Sequence, residues 1–375
     1  MTEVQKKYRR CLVLAGGGGR LGVHLGFHAA AVEAGLPPDL LLGTCGGALV
    51  AALIHSEPDP ARQLALLAGP EMYRFWCAVQ PRNPANLGAA LAGVGRRAFD
   101  VRHAPRVPDL DREALFKVTG DWPTPQWRSN SASPDVVVLG ARLLAASNHI
   151  GQARAGRALM EAVAIGPSRA CALLANAASA VGSGAHAGSS VAPKLATLDA
   201  SAISLSDAVR ISVTDMIYLP TTDAAGARWL GGAVDLMPVE LAAQLAEDVW
   251  IDLKDAVPRW TMAPAWRAVL GFNAKRRQQE IDQTQVALRF DNRALERDVP
   301  RSVLTRELVF SRGRPQLRLR PCADEADYRR VIQAQFEEGR RRMRSALAGA
   351  NPKPSPNPNP NPNPNPEDRA ASSTA

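Results

Sequence analysis

CLVLAGGGGRLGVHLGFHAAAVEAGLPPDLLLGTCGGALVAALIH, residues 11–55, decides the fold. CLVLA is a short apolar run of strand length that ends in Gly16, Gly17, Gly18 and Gly19. A helix-length segment, VHLGFHAAAVEAG, follows, and DLLLG then reads as a second strand. TCGG makes a tight turn, and Ala48 to Ile54 has the length and composition of a second helix. Short apolar strands that alternate with helices over short connections open a parallel α/β sheet.

The glycine run sits where a strand hands over to a helix. Backbone N–H groups point outward there and the helix dipole favours negative charge, so Gly16 to Gly19 with Arg20 form an anion-binding loop. Gly17, Gly19 and Gly22 also satisfy the G-x-G-x-x-G spacing of a dinucleotide site, so the loop alone leaves both readings open. The second turn separates them. Gly43-Thr44-Cys45-Gly46-Gly47 has the form of a nucleophile elbow with cysteine at its centre, the small flanking residues making room for a strained turn.

Together these segments resemble the start of the patatin-like phospholipases, with a G-G-G-x-R oxyanion loop followed about 25 residues later by G-x-S-x-G. A second stretch is similar too: Ala208-Val209-Arg210-Ile211-Ser212 leads to Leu219-Pro220, and Gly231-Gly232 with Asp235 and Pro238 resembles the family's D-G-G-x-x-D-N-x-P. A weaker echo lies in Phe336-Glu337-Glu338-Gly339-Arg340. The resemblance implies a three-layer α/β/α fold with a mainly parallel central sheet and an inserted helical and loop cap. It also implies a lipid or acyl-ester ligand and a serine and aspartate dyad, with no cofactor or metal.

Both dyad positions depart from that pattern. Cys45 stands at the nucleophile and Leu230 at the general base, and Leu21 replaces the glycine after the arginine. A leucine accepts no proton. The expectation is therefore a degenerate acyl hydrolase with weak or no hydrolysis. The alternative is an active Cys45-dependent acyl hydrolase or acyltransferase that recruits Asp235, Asp215 or a histidine as base, helped by the greater acidity of a thiol. A dinucleotide-binding oxidoreductase is the remote third reading.

The bulk composition agrees with a globular enzyme: 375 residues, 46% hydrophobic and 22% charged. Five cysteines without a Cys-x-x-Cys indicate neither a disulfide framework nor a zinc site and fit a reducing cytoplasm. His24 and His28 are spaced as i and i+4 but lack a third ligand, so no metal is expected. Lys6 to Arg10 before CLVLA imitates a signal peptide, yet the apolar stretch is too short and reads as a first buried strand. The net charge of +9 leaves an anionic membrane surface open as a peripheral partner. Only 5% of residues are aromatic, few to stack on bases, which argues against nucleic acid.

Residues 1–350 read as one domain. Within it, 56–130 is rich in proline and arginine and looks like a cap or insertion, and 151–205, rich in alanine, glycine and serine, looks like a mobile cover. LTRELVF and PQLRLRP form two strands around a turn, and Ala323 to Gly349 is a helix. From 351 to 375 the chain is an Asn-Pro-rich tail expected to be extended or disordered. Deleting it should leave the melting temperature unchanged, because it has no apolar side chain larger than proline or alanine to bury; a fall of several degrees in a thermal melt would show that it docks.

Overall fold

The computed structural model describes residues 6–16, 18–82, 106–120, 127, 133–154, 156–182, 188–216, 218–254, 262–292, 295–299, 302–311 and 314–350. Gly17, parts of 56–130 and the tail from 351 lie outside the described residues.

Among the described residues nine strands form the main sheet: β1 (Tyr8–Leu14), β2 (Leu40–Gly43), β3 (Asp135–Leu143), β4 (Met160–Gly166), β5 (Ala196–Asp199), β6 (Thr222–Ala224), β7 (Ala227–Leu230), β8 (Ala246–Leu253) and β9 (Leu288–Asp291). Their order is β9-β8-β1-β2-β3-β4-β5. The run from β9 to β3 is parallel throughout. β4 pairs with β3 antiparallel and with β5 parallel, so the last two strands are reversed. β7 pairs with β3 at Ala141↔Leu230, while β4 occupies the opposite edge of β3 at Ala141↔Ala162. β2 has ended by then, at Gly43↔Val138. Leu230 thus takes the place beside β3 that β2 vacates at the elbow.

Six helices frame the site: α1 (Leu21–Glu33), α2 (Gly46–Ser56), α3 (Leu205–Val213), α4 (Val239–Leu245), α5 (Ala274–Gln283) and α6 (Glu325–Gly349). Alternation along β1 sends Leu12 and Leu14 into one core with Leu21, Phe27, Val50, Val209 and Ile332. It sends Cys11 and Val13 into the other with Val239, Leu245, Trp266 and Ile281. A sheet with a helical layer and a separate core on each face is the expected three-layer α/β/α arrangement.

The 151–205 stretch is no cover. It supplies β4 and β5, two strands of the sheet. Small side chains were read as mobility, but Ala162 and Ala164 are buried within β4, where little side-chain volume is needed. In the described part of 56–130, helices Pro60–Leu67 and Pro70–Cys77 bury Leu67, Met72 and Phe75 in the same core as α1. The expected hairpin is present as Leu304–Ser311 paired with Arg314–Pro321.

α1 and α6 meet backbone to backbone. A Cβ on Gly26 would stand 2.2 Å from the Phe336 carbonyl oxygen, and one on Gly339 would stand 2.2 Å from that of Val23. At the exposed end of this contact Arg340 and Arg344 bind the Glu33 carboxylate at 2.8 and 2.6 Å. Other α6 arginines are also paired: Arg329 with Glu325, Arg330 with Asp327, Arg341 with Glu338 and Arg342 with Asp298. The arginine-rich C-terminal helix is therefore laced with acidic partners. Among the described residues no helix is long and apolar enough to cross a membrane. Gly26→Ala should lower stability by about 1–3 kcal/mol, as overpacking of a tight contact does, read as a lower urea midpoint at unchanged slope.

Candidate catalytic site

Cys45 leaves β2 with φ 50° and ψ −126°, left-handed backbone that a side chain rarely adopts. Such a residue costs about 1–3 kcal/mol and persists only where its surroundings hold it. Here the surroundings are crowded backbone. A Cβ on Gly47 would lie 1.8 Å from the Leu14 carbonyl oxygen, and one on Gly232 would lie 3.0 Å from the Cys45 nitrogen. α2 starts at Gly46 directly behind the thiol. The residues at 43, 46 and 47 are thus glycines for a spatial reason, and the elbow geometry is retained.

Three loops meet at this turn. The buried Thr44 hydroxyl accepts the Gly16 N–H at 2.9 Å and donates to the Leu236 carbonyl at 2.8 Å. The Cys45 N–H donates to Ser212 Oγ at 2.9 Å, and that hydroxyl donates to the Leu139 carbonyl at 2.7 Å. On the helix side, a Cβ on Gly46 would touch Gly18 O at 3.0 Å and Leu21 Cδ2 at 3.1 Å. The glycine loop, the elbow and the segment after Gly231 are therefore side by side at the end of the parallel strands, where open α/β sheets carry their sites.

Not every expected donor is available. The Gly16 N–H is committed to Thr44 and, at 3.4 Å, to Leu236 O, so it serves no oxyanion. Gly17 lies outside the described residues. Gly18 has φ +57°, and the Gly46 N–H faces the Cys45 sulfur. The amide after the nucleophile and a glycine-loop amide are the donors an oxyanion hole uses. Arg20 is the N-cap residue of α1, and its side chain does not cap the helix.

The carboxylates are arranged less favourably. Leu230 is completely buried in β7 and belongs to the apolar core. Asp235, weighed as a substitute base, is held by Arg277: Nη2 to Oδ2 at 2.8 Å and Nε to Oδ1 at 3.3 Å. Arg277 is itself buried and also binds Glu240 at 2.6 Å, so this forked pair anchors the loop after Gly232 instead of serving the thiol. His24 and His28 are buried along α1, where burial holds their pKa values down, His28 to about 4. His55 Nδ1 is engaged with the Pro134 carbonyl at 2.8 Å. The carboxylate whose field reaches Cys45 is Asp215, which accepts the Tyr218 N–H and, at 3.4 Å, the Leu219 N–H.

The thiol is hard to ionise. A little of its surface is accessible, but dense protein around the sulfur desolvates the thiolate, and with the charge of Asp215 this pushes the pKa up to about 11. The Gly46 N–H and Lys254 pull the other way and lose. Desolvation of the thiolate thus outweighs the Gly46 N–H at the start of α2.

Sequence reasoning missed Lys254, Ser212 as a ligand of the elbow, and Gln335. Lys254 Nζ binds the carbonyls of Ala15 and Gly16 at 2.9 and 2.5 Å and lies 3.6 Å from Asp252 Oδ2. Gln335, on α6, binds the other end of the glycine loop. Lys254 comes from distant sequence with no motif around it; Gln335 stands directly before the Phe336–Arg340 echo without being part of it, and Ser212 lay inside a recognised motif without a role.

Residues 12–165 match the family model described as patatin-like phospholipase. No curated protein matches the chain. The matched segment carries the glycine loop, the elbow and most of the strands β1 to β3, which form the Cys45 side of the site.

The ionisation of Cys45 is open to measurement. Its alkylation by iodoacetamide should be slow at neutral pH and rise with pH towards an inflection near 11. Asp215→Asn removes a negative charge and should move the inflection down, and Lys254→Met should move it up. An inflection below 8 in the native chain would mean that desolvation does not dominate.

Proposed function

We propose that this chain, patatin-like over residues 12–165, is a degenerate lipid acyl hydrolase that receives an acyl group at the elbow and turns it over weakly or not at all. Its fold is of the lipid acyl-hydrolase type. The observation that carries the reading is Leu230: a fully buried leucine in β7 stands immediately before the Gly231-Gly232 turn that packs on Cys45, where the resemblance puts the general base.

Loss of both dyad members removes the step in which a base takes the nucleophile's proton and later activates water. What remains is an oxyanion site and binding, which in serine hydrolases alone leaves about 10³–10⁴ over the uncatalysed rate. Of the loops that would make that site, Gly16 and Gly18 lie beside the elbow at Cys45 and Gly46. A lipid or acyl ester fits it better than a dinucleotide does, because a pyrophosphate would need the first amides of α1. The Gly22 N–H is already taken by Gln335 at 3.1 Å, and Gly19 lies against Ser302 and Val303. Contact with an anionic membrane belongs to the same proposal, but the arginines of α6 are a poor candidate for it, being paired with acidic residues.

A second reading has one observation in its favour. Asp215 and Lys254 both act on the Cys45 thiol, so a cysteine-dependent acyl transfer with Asp215 as base has its charged groups at hand. Hydrolysis of a short acyl ester and of phospholipid vesicles, measured beside Cys45→Ala, separates the two. Weak turnover, unchanged in Cys45→Ala, is expected; turnover that vanishes with Cys45 would replace the degenerate reading by the cysteine enzyme. Cys45→Ser with Leu230→Asp should exceed the product of the single changes, since nucleophile and base act as a unit.

A further inference from the structure

The glycine loop is held from outside the family-matched segment. Gln335 of α6 is completely buried, and its two amide atoms reach the two ends of one short stretch. Its Oε1 accepts the Gly22 N–H at 3.1 Å, and its Nε2 donates to the Gly19 carbonyl at 3.1 Å. The Gly19 carbonyl also accepts the Val303 N–H at 3.2 Å.

We infer that Gln335 is a positioning residue of the oxyanion loop: it fixes the peptide planes between Gly19 and Gly22 and so sets where the loop's amides point. This rests on the reading above, in which the loop receives the oxygen of an acyl carbonyl.

The geometry makes it more than a packing contact. Gly22 lies in the first turn of α1, where no helix carbonyl reaches its N–H, and a buried amide without a partner is costly. Gln335 supplies the missing acceptor. At the other end it draws the Gly19 carbonyl towards α6. In a trans peptide the carbonyl and the next N–H point in opposite directions, so the Arg20 amide is turned away from α6. The glycines themselves cannot hold that orientation, because glycine has the widest backbone freedom of any residue. Close approach is what allows a glutamine to span the gap: a Cβ on Gly22 would stand 2.5 Å from the Ile332 carbonyl oxygen and 2.8 Å from Gln335 Cβ. The α1–α6 contact thus carries a polar link through its apolar interface. Lys254 does the corresponding work at the start of the loop, on the carbonyls of Ala15 and Gly16.

The test needs two reactions of the same thiol, one that forms an oxyanion and one that does not. An alkyl trifluoromethyl ketone forms a hemithioketal: Cys45 Sγ bonds to the carbonyl carbon, the thiol proton leaves to solvent and the carbonyl π pair moves onto oxygen. Iodoacetamide alkylates the same sulfur by displacing iodide and makes no oxyanion at a carbonyl carbon. Adduct formation is followed by ¹⁹F NMR on the full chain, alkylation by mass spectrometry, and folding by circular dichroism.

Gln335→Met keeps the length and removes both hydrogen bonds. Gln335→Glu keeps an acceptor for Gly22 and sets a carboxylate oxygen against the Gly19 carbonyl, giving a second variant should the first fold poorly. Deleting an oxyanion donor outright costs about 10²–10³ in rate; misaiming the loop should weaken the adduct by roughly tenfold while alkylation stays within about twofold. Equal adduct affinity in native chain and variants overturns the inference, as does a parallel fall in both reactions. If the native chain itself forms no adduct while Cys45 is alkylated, it is the reading of the loop as an oxyanion site that fails.

Discussion

The Thr44 hydroxyl accepts a hydrogen bond from the glycine loop and donates one to the carbonyl of Leu236, so one buried oxygen fixes the separation of the loops that make the site. The elbow can keep its left-handed backbone at Cys45 only because this bond, the Cys45 N–H on Ser212, and the packing of Gly47 and Gly232 leave it no other place. Strain of this kind is retained when the surroundings over-determine it. The elbow here is therefore a property of the whole sheet edge and survives independently of the chemistry performed there.

Under the proposed reading, that independence lets the geometry persist without the dyad chemistry. Leu230 enters the vacated edge of β3 through its backbone pairing with Ala141, which any side chain could make. Once there, a leucine adds apolar burial to the core below the sheet, where a carboxylate would need a proton partner or a charge partner. Asp235, by contrast, was kept as an ion and found its partner in Arg277. Removal of one member of so buried a pair strands the other, which makes the pair a fixture of the loop. The second loop is in this way anchored by charge on its far side while its near side has become apolar.

How much of this was legible in the sequence depended on the range of the interaction. Residues 11–55 announced strand, loop, helix and elbow because each signal there is local: apolar runs, glycines at turns, helix lengths. The Asp235 and Pro238 segment was found through resemblance. What escaped were the long-range ligands. Gln335 is an ordinary residue on a charged helix until Gly19 and Gly22 are folded against it, and Lys254 looks like a strand-end lysine until β8 places it below the loop. The 151–205 stretch hides its strands for the opposite reason: β4 lies in a region rich in alanine, glycine and serine, and a strand buried on both faces needs no alternating pattern to advertise it.

The thiol shows how magnitudes decide between two local rules. A helix N-terminus stabilises an anion, typically by 0.3–1 kcal/mol and up to about 2 when partly buried. Desolvation of a buried ionisable group can shift its pKa by as much as 3–5 units, each unit being about 1.36 kcal/mol. At Cys45 both act on one atom, with Asp215 added to the side of desolvation and Lys254 opposing it, and the pKa comes out raised. A serine at the same place would be insensitive to this contest, since its hydroxyl works through a base and does not need to ionise first. A cysteine there is exposed to the electrostatics of its pocket, and at Cys45 these push the pKa up to about 11. Any further exclusion of water from this pocket would strengthen the same bias, since desolvation is what raises the pKa most.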